Sequence, residues 1–326
     1  MIGRKPAFLS TGRAHPDSTS GARTSASVRS SIQRLASLKH AKTAFVFAAC
    51  SGLKSGLHFF WVLGLLVATL QSQAAVAHFN VTAFYTGKSD LAHISFVREA
   101  NLWFRGKAKE ANFSYRSTTN WAELSDVVPA QHQVVLFLDT RPENPAQRAA
   151  FRDYMEKGGA WMGFHFAGFA LTPSAVPQNW DWYHNEFLGV GSYVGNTWRP
   201  TSAILRVEDG EHPATRHLPR TFKSAPSEWY KWTNDLRTNK NIKILLSIDP
   251  ASYPLGTGPK PHEIWHEGYY PVVWTNTRYR MVYFNMGHND IDYEHKTNKE
   301  LSSSFSSETQ NQLILESLLW LAGTKE

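Results

Sequence analysis

The chain of 326 residues has a single cysteine, Cys50. Everything after it is therefore barred from disulfides, thiolate metal sites and cysteine nucleophiles. Acidic residues are scarce at the start: residues 1–77 hold Asp17 alone against nine Lys/Arg. The remainder is close to neutral, so the overall +7 and pI of 9.4 belong to the first quarter. A basic leader gives a folded domain no electrostatic footprint for nucleic acid, and we expect none as a partner. Also missing is any G-x-S-x-G stretch, which excludes a serine elbow of the hydrolase type.

What is present divides in two. Residues 1–43 are basic and rich in Ser, Thr and Ala, a composition that does not bury a core. Lys54 and the apolar segment His58-Phe-Phe-Trp-Val-Leu-Gly-Leu-Leu-Val-Ala-Thr-Leu70 follow, then Ala75-Val76-Ala77. This is the order of a secretory signal peptide cut after Ala77. The expectation is a leader over 1–77 and a domain over 78–326, periplasmic or extracellular after cleavage. An uncleaved leader would be a membrane anchor, and the membrane enters only that way. The apolar run is short for a span of about 20 residues.

From residue 79 strand and helix patterns alternate. Strands are expected at 79–85, 112–118, 133–138 and 160–165, and helices at 91–108 and 145–157. Ser89 or Asp90 would cap the first helix, Pro145 starts the second, and Gly158-Gly159 ends it. The continuous apolar runs QVVLFL and AWMGFH read as buried parallel strands. The fold class is therefore α/β, with a doubly wound, mostly parallel sheet. The second half is β-rich, with strands expected at 202–207, 242–248, 271–275 and 280–285. Loops are expected at 256–261 and 302–307, and a last amphipathic helix at 306–321.

Ligands of open parallel sheets bind beyond the carboxyl ends of the strands. The residues reaching that edge are Tyr85, Thr86, Asp139, His165 and His288. His165 stands where a glycine-flanked strand meets a sharp turn, the place of a nucleophile in elbow folds. An imidazole there serves as general base, transient nucleophile, metal ligand or a structural group bonded to backbone. His212, beside Glu208, Asp209 and Glu211, and Glu228, among Trp229, Tyr230 and Trp232, are further acid–base candidates. Trp180, Trp182, Trp229 and Tyr230 offer apolar faces to sugar rings, although core packing is the commoner use of tryptophan. His262-Glu263-Ile264-Trp265-His266 matches H-E-x-x-H, but Pro259, Pro261, Gly268 and Pro271 crowd out the helix a zinc protease needs.

Taken in order, several motifs resemble the ThuA-like (trehalose-utilisation) family. They are Phe84-Tyr-Thr-Gly-Lys88 with Asp90 and His93; 135–140; Gly158-Gly-x-x-x-Gly-x-His165; and His212-Pro213 with Leu218-Pro219. Glu228-Trp229-Tyr230, Pro271-Val-Val-Trp274 and Tyr283-Phe-Asn-Met-Gly-His288 complete the series. The resemblance implies a flavodoxin-like, class I glutamine-amidotransferase-like fold and a link to disaccharides or their 3-keto derivatives. Two departures stand out. Ser227 replaces a frequent aspartate before Glu228, which removes a carboxylate. Phe166 replaces a small residue beside His165 and crowds the turn. The expected activity is hydrolysis or isomerisation of a sugar, with His165, Glu228, His288, Asp139 and His212 as catalytic candidates. Tyr85, Thr86, Trp180, Trp182, Trp229 and Tyr230 are the substrate-contact candidates. A divalent metal ion is left open as cofactor, with His165 and His288 as candidate ligands. The partner is a small sugar or disaccharide, and an oligomer is left open. The alternative is a noncatalytic sugar-binding protein of the same fold.

Overall fold

The computed structural model describes residues 78–88, 90–127, 133–170, 179–197, 199–253 and 265–324. The leader, the loop at 256–261, His262 and Glu263 of the H-E-x-x-H stretch, and Trp198 lie outside them. No described helix is long and apolar enough to cross a membrane.

The architecture is α/β. The first half contributes β1 (Phe79–Phe84), α1 (Leu91–Glu110), β2 (Phe113–Thr118), the short α2 (Leu124–Val127), β3 (Gln133–Phe137), α3 (Pro145–Glu156) and β4 (Ala160–Phe164). The second contributes β5 (Tyr193–Asn196), β6 (Ile204–Val207), β7 (Thr221–Lys223), β8 (Tyr230–Trp232), β9 (Ile242–Ile248), β10 (Tyr270–Asn276), β11 (Tyr279–Phe284) and α4 (Glu308–Leu321). Nine strands form one sheet in the order β2-β1-β3-β4-β11-β10-β9-β6-β7. From β2 to β11 neighbours are parallel; beyond β11 they are antiparallel. Only β10 and β6 run against the rest, so the sheet is mostly parallel in strand direction. Strands β5 and β8 form a separate pair.

Alternation along the central strands feeds two cores. Val134, Leu136, Met162, Phe164, Val282 and Phe284 face Phe96 and Phe104 of α1 and Leu313 and Leu318 of α4. Val135, Phe137, Trp161, Met281 and Tyr283 face Phe151 and Met155 of α3 and the turn at Trp182–Phe187. Burial on both faces explains why these strands read as unbroken apolar runs. Truncating one such aromatic to alanine costs about 3–5 kcal/mol. Gly163 has no Cβ for a reason: one there would fall 2.1 Å from the Trp161 ring.

Helix ends follow the sequence cues. Asp90 caps α1 by accepting the Ala92 and His93 amides, Ser89 lying outside the described residues, and Asn144 caps α3 ahead of Pro145. Expected bounds shift by one or two residues. Five features among the helices and strands were not expected: the short α2, β5, β7, β8 and the π-helical turn Trp182–Phe187. The strands are only three or four residues long, too short to show a period. The sequence offers Trp182, at the start of the turn, as a face for a sugar ring instead.

Candidate functional site

Beyond the ends of β4 and β11, two histidines meet. His165 immediately follows β4, and His288 follows β11 by four residues. His165 has φ +38°, the left-handed region that a residue with a Cβ enters at a strain of order 1–3 kcal/mol. The Tyr283 hydroxyl donates to its carbonyl at 2.6 Å and holds the turn. Gly287, at φ +140°, lies against it; a Cβ at 287 would come within 2.9 Å of the His165 Cβ. The turn after β11 therefore has to be a glycine for the two strand ends to sit side by side.

Two carboxylates and a third imidazole close on the pair. Glu228 Oε2 lies 3.5 Å from His165 Nε2 and 3.8 Å from His288 Nε2. Its other oxygen accepts from Asn196 Nδ2 at 2.6 Å. On the far side, Asp90 Oδ2 is 3.9 Å from His288 Nε2 and 3.5 Å from His93 Nδ1. Ring centroids of His93, His165 and His288 are 4.8–5.4 Å apart. Tyr230 stacks on His165 at 3.9 Å, and its backbone is gripped twice by the Asn285 side chain. The Asn285 carbonyl lies 3.3 Å from His165 Nδ1. A carbonyl only accepts, so Nδ1 carries the proton and Nε2 presents its lone pair toward Glu228. That Nε2 and His288 Nδ1 are buried without a hydrogen-bond partner among the described residues.

Burial governs the protonation of this cluster. Desolvation drives His93 and His165 down to about 3 and His288 to about 4. His165 depresses His93 further, while Asp90 opposes the shift; Glu228 opposes it at His288. The imidazoles are neutral at pH 7. Burial works against ionisation of Asp90, but His93, His288 and the two capping amides outweigh it and hold the carboxyl below its usual range. Desolvation, then Glu228, pushes the Tyr230 phenol far up, so it stays protonated. The donor atoms of Asp90, His93 and His288 lie within 4.8 Å of one another, and Asp90 is half exposed. These are the residues best arranged to hold a metal ion; two imidazoles and a carboxylate are a donor set that suits one.

Of the residues expected from the sequence, His165, Glu228 and His288 come together, with Tyr230 beside them. Asp139 does not join. Its carboxylate accepts the Thr86 amide, the Thr86 hydroxyl and the Gly87 amide at 2.8–2.9 Å, tying the loop after β1 to the end of β3. Thr86 is thus occupied in the same turn, and Tyr85 packs against the core. His212 lies elsewhere: its Nδ1 accepts the Ala214 amide, and its ring packs edge-on to Trp320 of α4. Trp182 and Trp229 are core residues, 4% and 0% exposed, and the Trp229 indole donates to the Thr201 carbonyl. Trp180 lines a separate cavity of about 360 Å³ with Asp181, His184 and Asn185. Another of about 290 Å³, bounded by Trp232, Tyr269, Tyr270, Asp235 and Arg237, shares Tyr230 with the cluster. His288 itself borders a cavity of about 40 Å³ with Arg199, Asp290 and Tyr293, room for water or an ion but not a sugar.

Sequence reasoning assigned no chemistry to Asp90, His93, Asn196 or Asn285. The first two carried a readable signal: D-x-x-H at a helix start puts carboxylate and imidazole on one face. The asparagines carried none, because their partners are 32 and 55 residues away.

The sequence model of the ThuA family, described as trehalose utilisation, matches residues 80–304. The chain belongs to the ThuA family. A ThuA-like protein from Bacteroides uniformis ATCC 8492 has a solved structure 34% identical in sequence, with a TM-score of 0.64; the match covers 74% of this chain and 91% of that one. A second, from Parabacteroides merdae ATCC 43184, shares 16% identity at a TM-score of 0.52, covering 76% and 90%, and shows the common fold. The comparison with curated proteins returned no match. Matching to this ThuA family extends over β1–β11 and includes every member of the cluster.

Proposed function

We propose that this ThuA-family protein is an enzyme acting on a carbohydrate, a disaccharide or its 3-keto derivative, by proton transfer between substrate and the Glu228–His165 pair. The observation that carries the reading is the Glu228 carboxylate set between two imidazole nitrogens, 3.5 and 3.8 Å away, with the His165 lone pair aimed at it. A proton held at Glu228 Oε2 would be shared with His165 Nε2, and the pair can give it up or take it back at a substrate oxygen or at a carbon beside a carbonyl. Hydrolysis and isomerisation both begin with such a transfer. Asn285 fixes the His165 tautomer, and Asn196 fixes the Glu228 rotamer. The family's description supplies the sugar class.

The test is turnover of oxidised trehalose and sucrose, followed by mass spectrometry, with wild type and Glu228→Gln. Product from wild type and loss of roughly 10²–10⁴-fold in the variant would support the reading. Equal activity in both would sink it. Saturable sugar binding with no product from either would favour the noncatalytic alternative. We also propose that the protein is exported with cleavage after Ala77. An intact amino terminus on protein recovered from the producing cell's exterior or envelope would contradict that site of cleavage.

A further inference from the structure

We propose that Asp90, His93 and His288 form a binding site for one divalent transition-metal ion, of the zinc, cobalt, manganese or iron class, with Glu228 and His165 standing on its open side. This site rests on its own geometry and does not require the carbohydrate reading.

The argument begins at the start of α1. One oxygen of Asp90 is spent on the helix cap, accepting the Ala92 and His93 amides at 2.8 and 3.2 Å. The cap fixes the carboxylate plane and leaves Oδ2 facing the cluster. Three residues on, His93 is set above it on the same face of the helix. The third donor arrives from the far end of the chain, on the turn after β11. Oδ2 lies 3.5 Å from His93 Nδ1 and 3.9 Å from His288 Nε2. Zinc-type bonds of about 2.0–2.1 Å place neighbouring donors roughly 3.0–3.4 Å apart. The two spacings to Asp90 exceed that by a few tenths of an ångström to about half an ångström, and all three donors lie within 4.8 Å of one another. The His93 and His288 rings stand at 89°, so they converge without stacking.

Charge points the same way. The three donors are two imidazole nitrogens and one carboxylate oxygen. His288 Nε2 has carboxylate oxygens of both Asp90 and Glu228 within 4 Å, and its side chain is 7% exposed. A cation shared among these groups would satisfy what their own contacts leave strained. Imidazole donors favour a transition ion over magnesium or calcium, which take oxygen ligands. Three protein donors with further groups facing the remaining positions is the pattern of a site that keeps coordination open.

The experiment is titration of the metal-stripped protein with Zn²⁺ by calorimetry and with Co²⁺ by visible absorption. The expected result is one ion per chain and a cobalt d–d spectrum. His93→Ala, His288→Ala and the isosteric Asp90→Asn should each weaken Zn²⁺ by at least ~100-fold, ligand loss exceeding the 10–100-fold of outer-shell changes. His212→Ala should bind as wild type does. Near-UV circular dichroism identifies any variant that has not folded; His288→Gln and His93→Gln then take its place. Absence of a stoichiometric ion, or an ion that a folded His288 variant retains, would overturn the site. So would an ion lost with His165→Ala but kept by the His93 variants. Stoichiometric ion without any sugar turnover would leave the metal site standing and remove the carbohydrate reading.

Discussion

His93, His165 and His288 are 0–5% exposed and His184 and His212 are 3–6% exposed, so all five are buried, yet the two groups are held differently. His212 is satisfied locally: the Ala214 amide fills its Nδ1 lone pair, and Trp320 covers its ring. His184 sits with Nδ1 3.0 Å from the Trp180 carbonyl, one helical turn away. Their partners are sequence neighbours or apolar surface. The three cluster histidines come from three distant segments and face carboxylates at 3.5–3.9 Å, with the Asn285 carbonyl holding Nδ1 of His165. Burial alone therefore does not mark a functional histidine here. Convergence of several on two carboxylates, Asp90 and Glu228, is what the proposed function rests on.

Predictions can sharpen or break that contrast. The largest expected effect is on turnover: Glu228→Gln keeps the Asn196 contact geometry and should lower kcat by roughly 10²–10⁴-fold with a native near-UV spectrum. His184→Ala should leave kcat within about twofold while lowering stability by about 1–3 kcal/mol in urea, through the Trp180 amide left unpaired. A loss of turnover in the His184 variant as large as that of Glu228→Gln would erase the distinction between the groups.

Gly287→Ala tests the backbone that brings the strand ends together. Its Cβ would meet His165, and its φ is forbidden to it, so a loss of order 1–3 kcal/mol is expected by thermal or urea unfolding. Acid offers a smaller, graded test. His184 and His212 are pushed to about 3 and about 4, chiefly by desolvation. The folded protein thus binds fewer protons than the unfolded chain between those values and 6.5. Stability should fall as pH drops from about 6.5 toward 4, with a slope of about 1.4 kcal/mol per pH unit for each such histidine. His184→Phe should flatten the curve in that window; an unchanged slope would show that His184 does not titrate on unfolding.

Much of this was legible in the chain. The runs at β3 and β4 announced buried strands because both faces of the sheet are covered, and Pro145 and Gly158-Gly159 framed α3. His165 was readable as an elbow residue from the glycines around it. The pairing of β11 with β4 was not, since no local pattern encodes contact across 120 residues. Without that pairing His288 and Glu228 were separate motifs. Asp139 looked like a site residue because it ends a parallel strand, but in the fold it fastens the turn at Thr86-Gly87. Trp182 and Trp229 looked like a sugar platform because periodicity cannot tell a buried indole from an exposed one.

The close approach of Gly287 to His165 has a consequence for how such a protein can change over generations. The turn after β4 acts as a socket whose shape is set from outside, by Tyr283 below and by a neighbour without a side chain above. A lineage could exchange the group carried at 165, and with it the chemistry, while leaving the socket whole. Position 287 has no such freedom, so variation should be sparser there than at 165, the residue proposed to exchange a proton with substrate.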